Sequence, residues 1–154
     1  MSLFFTFFVY INSNLGTYSV IPIINIETIN CSDGVNAGVV LIDDGYLSAT
    51  GANKMSFIFY FDESSKIKRV DVKCGNNATA TTPSTENSTI EIFGSNDKES
   101  WTSLFTSGYK GENSAITEVS ANISDTTKYK YAKIELAPTN GRTVKLRYAR
   151  FFCK

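Results

Sequence analysis

Residues 88–105, STIEIFGSNDKESWTSLF, decide the fold. Ile90 and Ile92 alternate with Glu91 and Phe93, the polar run Ser95 to Glu99 interrupts the alternation, and Trp101 to Phe105 resume it. A period of two places successive side chains on opposite faces of a pleated strand, and a short Ser/Asn/Asp run between two such segments is turn chemistry. The stretch therefore reads as strand, turn, strand, a hairpin of an all-β domain.

The same period recurs on both sides. Met55, Phe57, Phe59 and Phe61 share one face, Asp62 to Ser65 turn the chain, and Lys66 to Lys73 return with Ile67, Val70 and Val72. The change of parity between Ile67 and Val70 requires a bulge or a twist. Residues 128–136, KYKYAKIEL, alternate again; residues 138–142 form a turn, and Thr143 to Cys153 make a last strand. Upstream, Thr17 to Ile29 is a β-type segment in which Pro22, lacking an N–H, implies an edge or a bulge. Residues 75–87 and 107–114 are polar connections, and no heptad, long helical period or internal repeat is present.

Composition bounds the function. At 154 residues the chain has single-domain length and buries roughly 70% of its unfolded surface, so its core needs no metal or disulfide staple. Fifteen basic and fifteen acidic residues cancel, which argues against a nucleic-acid partner and against electrostatic docking on an anionic membrane. Histidine is absent. With it go the usual general base, a Ser-His-Asp or Cys-His arrangement and the commonest zinc ligand. No phosphate-cradling glycine loop or recognisable carboxylate pair replaces them, so an enzyme is not expected, and no cofactor is expected. Cys31, Cys74 and Cys153 lack metal-ligand spacing. In a reducing compartment they are small hydrophobes in or near the core; in an oxidising one, one of them stays unpaired.

Beyond periodicity, the string hydrophobic-Gly94-Ser95-Asn96-Asp97-x-x-x-Trp101-x-x-Leu104 resembles the signature hairpin of discoidin domains, also called coagulation factor 5/8 type C domains or family-32-type carbohydrate-binding modules. Residues 55–72 resemble the family's Phe-Asp-Leu-Gly … Ile-x-x-Val meander, Tyr131-Ala132-Lys133-Ile134 its Arg-Tyr-Val-Arg-Ile strand, and Asp44-Gly45 with the following Ser/Thr loop its Asp-Gly loop. The resemblance implies a galactose-binding-like, jelly-roll-like antiparallel β-sandwich of about eight strands over residues 30–154. Residues 1–29 precede it as an N-terminal extension, a docking arm or extra strands. It further implies that Trp101 belongs to the core. It also implies a bridge between Cys31 and Cys153, which would contribute about 4 to 5 kcal/mol by closing a long loop. Family members with a structural calcium carry a second oxygen donor after Asp-Gly and a glutamate near the last strand. Tyr46 and Ala149-Arg150 stand there instead, so Asp43-Asp44-Gly45 is expected to be a plain turn without metal.

Residues 1–11, MSLFFTFFVYI, are apolar on both alternating sets. They fit either an arm that adds a strand to another subunit or a sandwich strand whose outer face is covered. No basic residue precedes the run, no small-x-small site follows it, and it is too short to span a bilayer, so neither a signal peptide nor a membrane span is expected. Sequons begin at Asn30, Asn77, Asn87 and Asn122, but a chain rich in Asn, Ser and Thr produces several by chance.

In this fold the ligand loops gather at one end, uniting parts of 43–53, 75–87 and 140–142. Sugar recognition needs an aromatic platform and planar polar side chains that bond to vicinal hydroxyls. Tyr46, Asn53, Asn76 and Arg142 have that chemistry. The expected function is thus a non-catalytic recognition module for a glycan or another cell-surface ligand, at an extracellular surface or within a larger assembly. The alternative is a structural or attachment subunit of a virion, such as a phage tail, baseplate or capsid decoration, with protein partners or self-association through residues 1–11.

Overall fold

The structure, a computed structural model, describes residues 18–31, 47–49, 54–77, 87–110, 116–137 and 143–154. The elements of the described residues are all strands: β1 Ser19–Val20, β2 Ile23–Ile29, β3 Leu47–Ala49, β4 Met55–Lys66, β5 Arg69–Asn77, β6 Asn87–Ser95, β7 Thr102–Lys110, β8 Ile116–Asn122, β9 Lys128–Ala137 and β10 Thr143–Cys153. They form two antiparallel sheets. Sheet A runs β1-β10-β5-β8, with β3 also pairing with β10, and sheet B runs β2-β4-β9-β6-β7. Among the described residues no helix is long and apolar enough to cross a membrane.

The period-two pattern sets the layers. Met55, Phe57, Phe59 and Phe61 of β4, Ile90 and Ile92 of β6, and Ala132, Ile134 and Leu136 of β9 turn inward from sheet B. Val70, Val72 and Cys74 of β5 and Val144, Leu146, Ala149 and Phe151 of β10 meet them from sheet A. The Phe151 ring lies 4.9 Å from Phe59 and 5.4 Å from Phe61 between centroids. One aromatic side chain of sheet A is thus locked against two of sheet B.

The parity change near Ile67 is a corner between sheets. β4 continues through residues 62–65, where the sequence implies a turn, by shifting register against β9 between Tyr60 and Ser65. Ile67 and Lys68 then cross to sheet A, with Ile67 buried, Lys68 N donating to Phe152 O (2.8 Å) and Ile123 N donating to Lys68 O (2.9 Å). Pro22 sits at a second crossing. Val20 pairs with Phe152 in sheet A, Ile23 pairs with Phe61 in sheet B, and Pro22 O accepts from Asp62 N. Residues 19–29, assigned from sequence to the extension, therefore supply strands to both sheets. Residues 1–11 lie outside the described residues.

None of the three cysteines is in a disulfide, and the bridge implied by the resemblance is not formed. Cys31 lies beyond the end of β2, with Sγ 3.4 Å from Met55 Sδ, whereas Cys153 Sγ contacts Ser19 O at the other end of the sandwich. Ser19, not a cysteine, stands opposite Cys153.

Candidate functional site

Strand registers define two unlike ends. At one, Met55 meets Leu136, Thr89 meets Ala137, Asn87 meets Lys110, Gly75 meets Ile116, and Asn77 meets Thr143. The strand ends that flank 50–53, 78–86, 111–115 and 138–142 in sequence lie at this end. Tyr46, Asn53 and Arg142 lie outside the described residues, as does Asp43-Asp44-Gly45. Asn76 is placed through its backbone, in the β5 ladder opposite Val144 at this same end.

Charged side chains of sheet B line the described margin of that end. Lys54 Nζ reaches Glu91 at 2.8 Å and Glu135 at 3.5 Å; Glu135 also pairs with Lys133 at 2.8 Å and accepts from Ser56 Oγ at 3.4 Å. Burial pushes the Glu135 carboxyl up, but the hydrogen bond and charge of Lys133 and the charge of Lys54 outweigh it and hold the group below its ordinary value. The bond to Glu91 raises Lys54. Lys54 is about half exposed, so its ion pairs orient the rim at a net worth of about 0–1 kcal/mol.

The outer face of sheet B carries four aromatic rings, and its own lysines cap them. Lys133 Nζ lies 4.6 Å from the Phe93 centroid and 4.7 Å from that of Trp101. Lys98 Nζ lies over Tyr60 (4.9 Å) and Tyr131 (5.8 Å), donates to Tyr60 Oη (2.7 Å) and pairs with Glu27 (3.6 Å). Trp101 is therefore half-buried on this outer face and no part of the core cluster, contrary to the placement the resemblance implies. Rings already occupied by ammonium groups present no open stacking platform.

The opposite end is the turn of the signature hairpin, and its residues explain one another. Ser95 Oγ accepts from the backbone N–H of Asp97 (3.2 Å) and Lys98 (2.9 Å). Asp97 Oδ1 accepts from Glu99 N (2.9 Å) and Ser100 N (2.8 Å), and these bonds, with the Ser95 hydroxyl, hold its carboxyl below the usual range. Asn96 donates to Lys128 O and accepts from Lys130 N, tying the turn to β9. Lys98 takes the positive φ (66°), and Trp101 Nε1 donates to its carbonyl (3.1 Å). A hollow of about 340 Å³ lies between this turn and residues 125–129. Its polar lining is largely engaged in holding the turn. The described residues contain no group of three or more His, Cys, Asp or Glu able to hold a metal.

No family model matches the chain, and no curated protein matches it by sequence. Solved structures do match in shape. The CBM32 module of AlyQ in complex with 4,5-unsaturated mannuronic acid superposes with a TM-score of 0.63 at 15% identity, over 87% of this chain and 98% of the other. CBM32-1 of a family 31 glycoside hydrolase from Clostridium perfringens gives 0.61 at 14% identity, over 83% and 94%. The CBM32-1 and CBM32-2 domains of Clostridium perfringens ZmpB in complex with GalNAc give 0.64 at 13% identity, over 88% of this chain and 35% of that one. The chain has the fold of the family-32 carbohydrate-binding modules. This is the galactose-binding-like, discoidin-type sandwich that the hairpin resembles. On this carbohydrate-binding-module fold, the rim residues Lys54, Glu91 and Glu135 escape sequence reading because the two ion pairs of Lys54 span 37 and 81 positions. Alternation marks each as outward-facing without naming its partner.

Proposed function

We propose that the protein is a non-catalytic recognition module that binds a glycan through the segments joining the strands at the loop-rich end. One observation supports this above the others. The registers of both sheets bring the ends of strands β3 to β10 to one pole of a fold shared with carbohydrate-binding modules, Asn76 lies in β5 at that pole, and Asn53 and Arg142 belong in sequence to connections between those strand ends. Tyr46 supplies the ring platform in this reading, and the planar amides and guanidinium of Asn53, Asn76 and Arg142 bond to vicinal hydroxyls. The virion alternative rests on residues 1–11, outside the described residues, and no described feature favours it.

The test is a glycan array on the full chain, followed by titration calorimetry of its best ligand. Asn53→Ala and Arg142→Ala each weaken binding at least about tenfold, the effect of losing a hydrogen bond in a desolvated site. A blank array from protein with an intact unfolding transition, or unchanged affinity in both variants, defeats the reading.

A further inference from the structure

Sheet B ends on one side at β2, and among the described residues β4 is the only strand paired with it. Alternate β2 residues therefore turn their backbone N–H and C=O groups away from β4, open to another strand. The side chains along this edge are apolar where an edge is ordinarily polar. Val20, Ile24 and Ile29 are the large hydrophobics of the described residues that stand exposed, at 41%, 62% and 43%, and all three lie between positions 20 and 29. Scattered singly they would need no explanation; gathered on one open edge they mark a surface that something covers.

Both faces of the edge are open. Ile24 falls at the β2 bulge, and Ile29 stands opposite Ser56 on the outer side. On the core side, Ile26 and Thr28 stand opposite Phe59 and Phe57, yet Ile23 and Ile26 are only partly buried and Thr28 is exposed. The phenylalanines of β4 behind them are sealed. A strand that covers this edge has to be apolar on both sides.

Residues 3–11, LFFTFFVYI, meet that requirement. Leu3, Phe5, Phe7, Val9 and Ile11 form a wholly apolar set, and Thr6 and Tyr10 interrupt the other. Residues 12–17, NSNLGT, are turn chemistry and join the run to Tyr18, next to β1. β1 and β2 both run from the turn end towards the loop-rich end, so a run folded back over residues 12–17 lies antiparallel to β2. Six extended residues reach about 20 Å, against roughly 10 Å between sheets and 4.8 Å between strands.

We propose that residues 3–11 form a further strand of sheet B in the same molecule, antiparallel to β2. The wholly apolar set turns over Ile23 and Ile26, and the set with Thr6 and Tyr10 lies on the outer side beside Ile29. A tether this short holds the segment at an effective concentration on the order of millimolar, which favours its own edge over that of a second copy in dilute protein. A segment held there covers the apolar patch within one molecule and is not available as a docking arm for another subunit.

Residue-resolved amide hydrogen exchange on the full chain, at concentrations where light scattering reports a monomer, tests this. Alternate amides of residues 3–11, and the amides of β2 that face away from β4, exchange at least about tenfold more slowly than in an unstructured peptide. Phe7→Asp, which puts a charge into the core-facing set, brings both groups to the unstructured rate, while Thr6→Asp on the outer set leaves them slow. The amides of β4, β6 and β9 stay protected in both variants, which separates release of the segment from unfolding. Unstructured rates in the parent, equal rates in the two variants, or protection found only where light scattering reports a dimer overturns the proposal.

Discussion

Gly94→Ala isolates the packing that specifies the hairpin. A Cβ at this position stands 2.6 Å from Cγ and Cδ2 of Tyr129 and 2.8 Å from its Cδ1, inside the roughly 3.5–4.0 Å at which carbons attract. The backbone there is not left-handed, so space rather than conformation demands the glycine. Tyr129 is 5% exposed and belongs to the core, so its ring cannot swing into solvent without exposing apolar area. Overpacking of this kind costs about 1–3 kcal/mol, and removing the glycine's excess backbone freedom returns about 0.5–1 kcal/mol. The net loss is then about 0–2.5 kcal/mol, or up to about 10 °C in Tm for a domain of this length. Urea unfolding followed by fluorescence of the sole tryptophan, Trp101, measures it. The diagnostic experiment repeats the substitution in a Tyr129→Val background, where the obstructing ring is gone. There Gly94→Ala is neutral or stabilises by about 0.5–1 kcal/mol, a coupling in the range expected for touching residues. An equal loss in both backgrounds, or none in either, would falsify the claim that the tyrosine ring requires the glycine.

Other perturbations read other parts of the structure. Phe151→Ala removes the ring that joins the sheets at Phe59 and Phe61 and costs about 3–5 kcal/mol; a loss below about 1 kcal/mol in urea melts means the sheets are not locked there. Asp97→Ala loosens the turn in a pH-dependent way. The folded carboxyl is depressed below its ordinary 3.8, so its contribution is present above that pH and disappears as pH falls through the lower folded value. The midpoint gap between parent and variant therefore narrows in acid, and a constant gap down to about pH 2 contradicts the assigned bonds. Burial pushes the Cys74 thiol up to about 12, so at mildly alkaline pH iodoacetamide labels Cys31 and Cys153 first and reaches Cys74 at comparable rate only in urea, as mass spectrometry of peptides reports. Lys54→Met costs less than about 1 kcal/mol; a larger loss in thermal melts would make the rim pairs structural.

Alternation carries the fold because it depends on one strand at a time. Phe57, Phe59, Ile90, Ile92, Ile134 and Leu136 face inward as their spacing requires, and Gly94 to Trp101 form the turn that their side chains dictate. What alternation lacks is the partner strand. Lys54, just before β4, meets Glu91 of β6 and Glu135 of β9, and Arg150 stands opposite Asp71 only because β10 pairs with β5 after a bulge at Arg147. Trp101 shows the same limit: its size favours burial, yet the turn bond from Nε1 to Lys98 O and the ammonium of Lys133 fix it on the outer face of sheet B. Of the four residues chosen for sugar chemistry, the structure places Asn76 in β5 and does not describe the other three.

The two ends of the sandwich divide what must be constant from what can change. Backbone and side-chain bonds close the turn end, and the core sets register along every strand, so neither depends on the segments at the other pole. Sequence there can vary without shifting a ladder.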